Sequence, residues 1–519
     1  MNTSPDELAN YAFRDVIEEI IDLIKKDNGH DAAVSKIADF GGEKATDKYS
    51  LIQNLLAVGQ LYRSKALIQC ALEAFDKVEA QAPDDHNLYY NVATCYLELY
   101  DMRTRNDGAN LFDCEDLVKQ AVKYAEKASP SDPRVLTNLG NLYDVVGRPV
   151  EAINCYERAL CRDKGFGMAL GNKATAMEQL APITRYSTTY YVYAHQLYQA
   201  AFSHKQSIID IGGRKALESF QKHDSALVRR FTESGSAELL KKDLGHKRYE
   251  EASLSEFVKF YTDFCIRNDL YLNLHIIDRA AQASVGDAII PQLVTRIEDG
   301  DEQQYVHDII FRLNEIIEAY MTARMHLVQS QYTTPDFSAI SQQTALVNLL
   351  DYSVSNIYIG YLKSAYKEAF SALDKIAILV NHYLDLGFPE DQCSYRSIWY
   401  EHNTRGRVVQ PPIVANKVKA QGHRLFGLYL LCQEIGSSED QAIRNALTHR
   451  YLRVYRAVKG PEDTYLFEEL TQITVDVLYK IKCAIMYISL FLESKEETKR
   501  GIGFIAEMPL ETGQKLDIW

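Results

Sequence analysis

Proline and glycine are scarce in this chain, with 13 prolines and 26 glycines among 519 residues. Turn-rich all-β folds need both residues at their many turns, whereas tyrosine, with 34 copies, is abundant here. Hydrophobic residues make up 46% of the sequence and charged residues 25%, which is typical of a globular protein long enough for several domains. We therefore expect an all-α protein with long helices.

Paired cysteines, long apolar runs and a phosphate loop are also missing. The nine cysteines include no CxxC pair, and no His/Cys cluster has zinc-finger spacing. No segment approaches the roughly 18 apolar residues of a membrane span, and the acidic N-terminus lacks the basic stretch of an export signal. No GxxxxGK[ST] loop is present, which sets aside a kinase or nucleotidyltransferase. The sequence predicts a cytoplasmic protein with reduced cysteines, no metal site, no cofactor and no membrane partner.

Basic residues are outnumbered, with 57 Lys and Arg against 71 Asp and Glu and a net charge of −14. An evenly acidic surface repels a polyanion, so nucleic-acid binding requires a local reversal of sign. Such a reversal occurs between residues 402 and 459, where only three acids accompany the basic side chains. The basic residues are Arg405, Arg407, Lys417, Lys419, Arg424, Arg444, Arg450, Arg453, Arg456 and Lys459. This pattern is the electrostatic footprint of a phosphate-binding patch.

A repeat occupies residues 51–180, after N-terminal helices in residues 1–50. Gly59 is followed by Tyr62, Ala71 and Phe75 at the spacing of a unit of about 34 residues. The third unit is the clearest, with Leu136, Leu139, Gly140, Tyr143, Ala152, Tyr156 and Ala159 at the corresponding positions. The pattern resembles the tetratricopeptide repeat, in which small residues let antiparallel helices approach closely. The resemblance implies a curved surface that binds a protein or peptide partner, and a bare structural spacer is the alternative.

The remainder of the chain is helical in pattern without a repeat. We predict a helical middle region over residues 181–300, an antiparallel helical bundle over residues 301–500 and a C-terminal tail over residues 501–519. The segment around 285–303 contains Gly, Pro and an acidic cluster, which is typical of a domain boundary.

One late helix of the bundle carries the stretch from Arg444 to His449, RNALTH. At 100° per residue, an apolar stripe continues along this helix, formed by Ile443, Leu447, Tyr451, Val454 and Val458. We expect that stripe to face the core. Asn445, His449, Arg453 and Arg456 fall on the opposite side, and Arg444 lies between the two faces, roughly 140° from His449.

The bundle resembles the HEPN superfamily, whose RxxxxH signature is matched by Arg444 and His449, with Asn445 at its preferred polar position. The resemblance implies a metal-independent endoribonuclease that acts as a homodimer or higher even oligomer, often as a toxin or in anti-phage defence. It implies catalytic roles for Arg444, His449 and Asn445. The basic side chains Arg405, Arg407, Arg424, Arg450, Arg453, Arg456 and Lys459 are then expected to bind the RNA substrate.

The alternative interpretation is a non-catalytic adaptor. In that case the repeats bind a partner protein, and the bundle dimerises or binds a nucleotide. RNA cleavage needs a base, an acid and a cation for the phosphorane, and histidine and arginine supply these without a metal. One helix provides a single histidine, which is why we expect a second copy to complete the site.

Overall fold

The computed structural model describes residues 12–44, 46–82, 84–128, 132–241, 254–274, 285–289, 300–347, 350–402, 408–409, 412–436, 438–457 and 464–497. The side chains of residues 300–303, 438–439, 449 and 495–497 stand outside that description. The fold is all-α, as predicted, with one small two-stranded sheet among the described residues. In that same part of the chain, no helix combines the length and apolarity needed to cross a membrane.

The chain forms two units, and the first comprises Met1–Met177 together with Ala194–Leu240. The helices up to residue 240 are α1 (Arg14–Ile24), α2 (Gly29–Ala38), α3 (Asp47–Leu61), α4 (Lys65–Val78), α5 (His86–Asp101), α6 (Glu115–Lys127), α7 (Pro133–Val145), α8 (Pro149–Arg162), α9 (Gly167–Leu180), α10 (Ser187–Ser203) and α11 (Lys205–Glu233).

The second unit comprises Glu178–Tyr193 together with Lys241–Trp519, so the predicted middle region of residues 181–300 is divided between the two units. Its later elements are α12 (Glu256–Arg267), α13 (Gly300–Gln331), α14 (Pro335–Gln342), α15 (Ile357–Leu384), α16 (Asn416–Lys419), α17 (His423–Ile435), α18 (Ser438–His449), β1 (Arg453–Tyr455), β2 (Thr464–Leu466) and α19 (Phe467–Glu497).

The first unit contains the predicted hairpins, since α3 packs on α4, α5 on α6 and α7 on α8. Small residues lie where the helices approach most closely. A Cβ on Gly59 would be 2.6 Å from Ile68, and one on Gly140 would be 2.4 Å from the ring of Tyr156. Any larger side chain at either position would push the paired helix away. These contacts confirm the tetratricopeptide-like pattern read from the sequence.

The second unit is a helical bundle in which α13 packs along α15 and both contact α19, while α17 packs on α19. Side-chain contacts set the direction of the first pair. Lys375 bonds to Glu315 at 2.6 Å, and Ser364 to His326 at 3.1 Å. Because residue numbers fall along α15 as they rise along α13, these two helices are antiparallel, as predicted.

A buried arginine fastens the chain before α13 to the bundle. Arg324 of α13 is 3% exposed and donates to both carboxylate oxygens of Asp287, at 2.8 and 2.7 Å. It also donates to the Leu270 carbonyl at 2.9 Å and to the Tyr261 hydroxyl of α12 at 2.7 Å. Burial alone would raise the pKa of Asp287, but the hydrogen bonds from Arg324 outweigh it and lower the pKa. The pair therefore joins Asp287, and with it Leu270 and α12, to helix α13 of the bundle.

Arg324→Met should lower the free energy of unfolding by about 3–5 kcal/mol, because it leaves the Asp287 carboxylate buried without its counter-ion. Urea denaturation of the full chain measures this loss. Because the folded-state pKa of Asp287 is lowered, the pair stabilises the fold above pH ~4, and this contribution disappears as the pH falls through the folded value.

The matched control is Glu256→Gln on α12. Glu256 pairs with Lys259 at 3.0 Å, but its side chain is 81% exposed, so we expect a change below about 1 kcal/mol. If Arg324→Met lowers the free energy of unfolding by no more than the control does, the anchoring role of Arg324 is contradicted.

Candidate functional site

The motif helix α18 packs against one face of α15. Tyr366, Phe370 and Asp374 lie four residues apart along α15 and therefore share that face. The buried Tyr366 hydroxyl donates to the carbonyl of Asp440 at 3.2 Å, which attaches the first turn of α18. Ile443, fully buried, is the apolar contact in the middle of the helix. A polar contact and an apolar contact thus fix the position from which Arg444 projects.

Arg444 reaches the acidic end of the same face. Its Nη2 donates to Asp374 Oδ2 at 2.5 Å, and its guanidinium carbon lies 5.5 Å from the ring centre of Phe370 and 5.6 Å from that of Tyr395. The backbone N–H of Tyr395 donates to the other oxygen of Asp374 at 3.3 Å. The arginine is therefore held in a partly enclosed aromatic setting and is not a freely moving surface cation.

The enclosure shapes the electrostatics of this site. Burial raises the pKa of Asp374, and the neighbouring Arg444 charge opposes that rise. Burial also raises the pKa of Tyr395 to about 12, so its hydroxyl stays protonated at neutral pH. Arg444 keeps 28% of its side chain exposed, and Asp374 is its single ion-pair partner among the described residues. A guanidinium has five N–H groups, so Arg444 can hold Asp374 and a second anion together.

Asn445 lies on the exposed side of α18, as the helical wheel predicts. Its Oδ1 accepts a hydrogen bond from Gln441 Nε2 at 3.0 Å. The Gln441 oxygen in turn accepts from Arg396 Nη1 at 3.3 Å. This chain uses the oxygen of the Asn445 amide, and no described residue accepts a hydrogen bond from its N–H groups. It also brings Arg396, which precedes the motif by 48 residues, next to the motif helix.

His449 is the last residue of α18, and its side chain lies outside the described residues. The backbone of α18 is helical from Arg444 to His449, which keeps the two residues about 140° apart around the axis. The angular separation predicted from the sequence therefore stands, while the position of the imidazole stays a prediction.

The predicted continuation of the motif helix to Val458 is wrong. Tyr451, expected in the apolar stripe, is 98% exposed, and Leu447 is only half-buried. The chain leaves α18 after His449 and enters strand β1, so Arg453 and Arg456 do not continue the helical face that carries Asn445. Val458 lies outside the described residues.

Strand pairing explains why the helix stops. β1 pairs in parallel with β2, placing Val454 opposite Tyr465, and the backbone N–H of Val354 donates to the Val454 carbonyl at 2.8 Å. Lys363 of α15 donates to the Leu452 carbonyl at 2.7 Å. Leu452 and Val454 are buried by this arrangement. The helical periodicity read from the sequence therefore ends at α18, and a short strand follows in which Val454 and Tyr455 are both buried.

The predicted RNA-binding arginines and lysine separate into three groups. Arg405, Arg407 and Lys459 lie outside the described residues. Arg424 of α17, Arg450 and Arg456 are exposed and form no ion pair with any described residue. Arg453 lies 3.7 Å from the carboxylate of Asp351.

The basic patch is weaker than the sequence count suggests. Arg444 and Arg453 face Asp374 and Asp351, and Lys417 bonds to Asp385 at 3.3 Å. None of these acids belongs to the window of residues 402–459. The fold brings them in from α15 and its two flanking segments, so part of the local charge reversal is neutralised.

Sequence reasoning missed Asp374, Tyr395 and Arg396. For Asp374 a pattern was present, because an acid in line with Tyr366 and Phe370 interrupts an otherwise apolar helix face. Nothing in the sequence marks Tyr395 or Arg396, since both lie in an irregular segment. Among the described residues, no group of three His, Cys, Asp or Glu side chains is arranged to hold a metal ion.

Comparisons with known proteins give one informative match. Two solved structures titled as crystal structures of MamA align at 14% identity with a TM-score of 0.23, one covering 34% of this chain and the other 38%, each with 96% of its own chain. No curated protein matches the sequence. Residues 300–495 match the family model described as LA2681-like HEPN, a span that includes α13, α15, the motif helix and most of α19. The C-terminal bundle of this chain is therefore an LA2681-like HEPN domain.

Proposed function

We propose that the HEPN domain is a metal-independent endoribonuclease whose catalytic residues are Arg444, His449 and Asn445. The observation that supports it most is the Arg444 guanidinium, which Asp374 orients at 2.5 Å while more than a quarter of the side chain stays exposed. The exposed side of the guanidinium is open to a ligand. A phosphate can reach the N–H groups that Asp374 leaves free.

The cleavage reaction uses the nucleophile that RNA already carries. A base removes the proton of the 2′-hydroxyl, the oxygen attacks the adjacent phosphorus, and an acid protonates the departing 5′-oxygen. His449 supplies base or acid, because histidine is the side chain that ordinarily changes charge near neutral pH. Arg444 balances the charge of the phosphorane, and Asn445 donates through its free amide N–H groups to the substrate or the imidazole.

The active assembly is a homodimer or a higher even oligomer. Arg444 and His449 diverge on one short helix, and each motif helix supplies a single histidine. Two motif helices related by a two-fold axis provide two histidines and two arginines around one phosphate. In this proposal the tetratricopeptide-like hairpins of the first unit bind a protein partner that controls cleavage, which suits a toxin or an anti-phage defence effector. The non-catalytic adaptor remains the competing function.

Arg444→Ala and His449→Ala should each abolish cleavage of total RNA by the full chain in EDTA. The first removes the charge that stabilises the phosphorane, and the second removes the proton-transfer group. Loss of one such group typically costs about 10²–10⁴-fold in rate. Lys367→Ala, at an exposed cation of α15, is the control and should keep the parent rate. Intact RNA with the parent protein would favour the adaptor.

A double variant separates catalysis from folding at Arg444. Arg444→Ala alone leaves the partly buried Asp374 without its partner and should lower the free energy of unfolding by about 1–3 kcal/mol. Arg444→Ala combined with Asp374→Leu removes both charged groups, so stability should return towards the parent value while cleavage stays absent. Recovery of cleavage in the double variant would assign Arg444 a structural role only.

Asp374→Asn should reduce the cleavage rate about tenfold with little change in KM, because the amide orients the guanidinium less firmly than the carboxylate does. Asp374→Glu, which retains the charge, should recover part of the rate. Kinetics on a labelled single-stranded RNA measure both variants. A faster Asp374→Asn enzyme would show that the ion pair restrains Arg444.

Mixing Arg444→Ala chains with His449→Ala chains should restore part of the activity that neither variant has alone, because a heterodimer can assemble one composite site from the two intact side chains. Cleavage is measured after co-refolding and compared with each variant refolded by itself. A fully active parent that light scattering shows to be a monomer would exclude the shared site while leaving the ribonuclease assignment in place.

A further inference from the structure

Two tyrosines beside the motif helix are almost fully exposed. Tyr451 follows α18 by two residues and is 98% exposed, and Tyr352, in the segment before α15, is 80% exposed. Large aromatic rings are normally at least partly covered in folded domains, since each buries a large apolar area. Neither ring makes a stacking contact with a described aromatic residue. The proposed function uses neither of them.

Backbone pairing brings Tyr352 close to Arg456, the residue that follows β1. Ser353 forms an antiparallel bridge with Tyr455, so the adjoining residues Tyr352 and Arg456 lie at the same end of this bridge. The carboxylate next to Tyr352, that of Asp351, lies 3.7 Å from Arg453. Tyr451 is only two residues before Arg453 on the same chain. The two rings and the two exposed arginines therefore lie on neighbouring stretches of backbone just after α18, and we name this set the tyrosine platform: Tyr352, Tyr451, Arg450 and Arg456.

The exposed position of Tyr352 is maintained by its neighbours. Its φ of 64° lies in the left-handed region, which is unfavourable for a side chain of this size. Asp351 supports the strained turn by accepting from the Ser353 N–H at 3.0 Å and from the Ser353 hydroxyl at 2.5 Å. Strain held by surrounding hydrogen bonds is frequent at sites that present a residue to a ligand.

We propose that the tyrosine platform binds single-stranded RNA, with bases stacked on Tyr352 and Tyr451 and phosphates paired with Arg450 and Arg456. Aromatic faces with flanking cations are the usual means of holding unpaired nucleotides without reading their sequence. The inference rests on the proposed ribonuclease function for the identity of RNA as the ligand. It adds that the domain prefers unpaired RNA. The bound RNA would continue along the protein surface beyond the C-terminal end of the motif helix.

Charge favours RNA over a protein as the occupant. Arg450 and Arg456 have no ion-pair partner among the described residues, although the chain as a whole carries a net charge of −14. A protein that covered the two rings would also desolvate these arginines and would need matching acids to offset that cost. A ribose–phosphate backbone brings one negative charge with every base and so matches the alternation of rings and cations.

Binding of a fluorescent 2′-O-methyl oligouridylate of about 12 nucleotides tests the proposal, because this probe lacks the nucleophile and cannot be cleaved. Tyr352→Ala and Tyr451→Ala should each weaken binding to the full chain about tenfold, which corresponds to one lost stacked base. Tyr→Phe at the same positions keeps the ring and should stay within about twofold of the parent. Phe311→Ala, which removes a 61% exposed ring of α13, is the matched control.

The same oligonucleotide annealed into a duplex should bind with no dependence on either ring. Alanine variants that bind the single strand as tightly as the parent would overturn the proposal, even if the parent cleaves RNA. If the parent protein binds the oligonucleotide through the two rings but cleaves no RNA, the ribonuclease function is overturned, while RNA binding by the tyrosine platform is retained. Unchanged RNA binding, together with loss of the oligomer in light scattering, would reassign the surface to a protein interface.

Discussion

The carboxylate of Asp374 is the interaction on which the candidate site depends. One of its oxygens accepts from Arg444 on the motif helix, and the other accepts from the backbone N–H of Tyr395 in the segment after α15. A single side chain on a long, well-packed helix thus joins two elements that have no regular hydrogen bonding to each other. Because the ion pair lies over aromatic rings, water competes for it less than at an open surface.

The features that the sequence predicted correctly are those set by neighbouring residues. Gly59 and Ile68 belong to one hairpin, as do Gly140 and Tyr156, and a repeat spacing contains that geometry directly. The partner of Arg444 lies 70 residues earlier along the chain. No local period encodes a contact of that kind, because it depends on how α15 and α18 pack.

The motif helix shows a second way in which a pattern fails. Ile443, Tyr451 and Val454 fit a helical stripe, but Val454 also fits a strand. Contacts with other parts of the domain determine which of the two structures the segment adopts. The Lys363 ammonium binds the Leu452 carbonyl, and the segment before α15 pairs with Tyr455. These contacts satisfy backbone groups that a longer helix would have satisfied internally, so the tertiary structure overrides the local periodicity.

The arginines of the HEPN domain differ in how exposed they are, and this exposure determines what each can do. The side chain of Arg324 is 4% exposed and has both ends of its guanidinium bound to Asp287, so its charge serves the fold and no external anion can reach it. Arg453, at 60% exposed, lies 3.7 Å from its acid and is well screened by solvent. Arg444, at 28%, is held firmly enough for its orientation to be defined, yet one side of it stays open to solvent. A group that stabilises a transition state needs both properties, because reorganising a mobile cation during the reaction would cost part of the energy that it supplies.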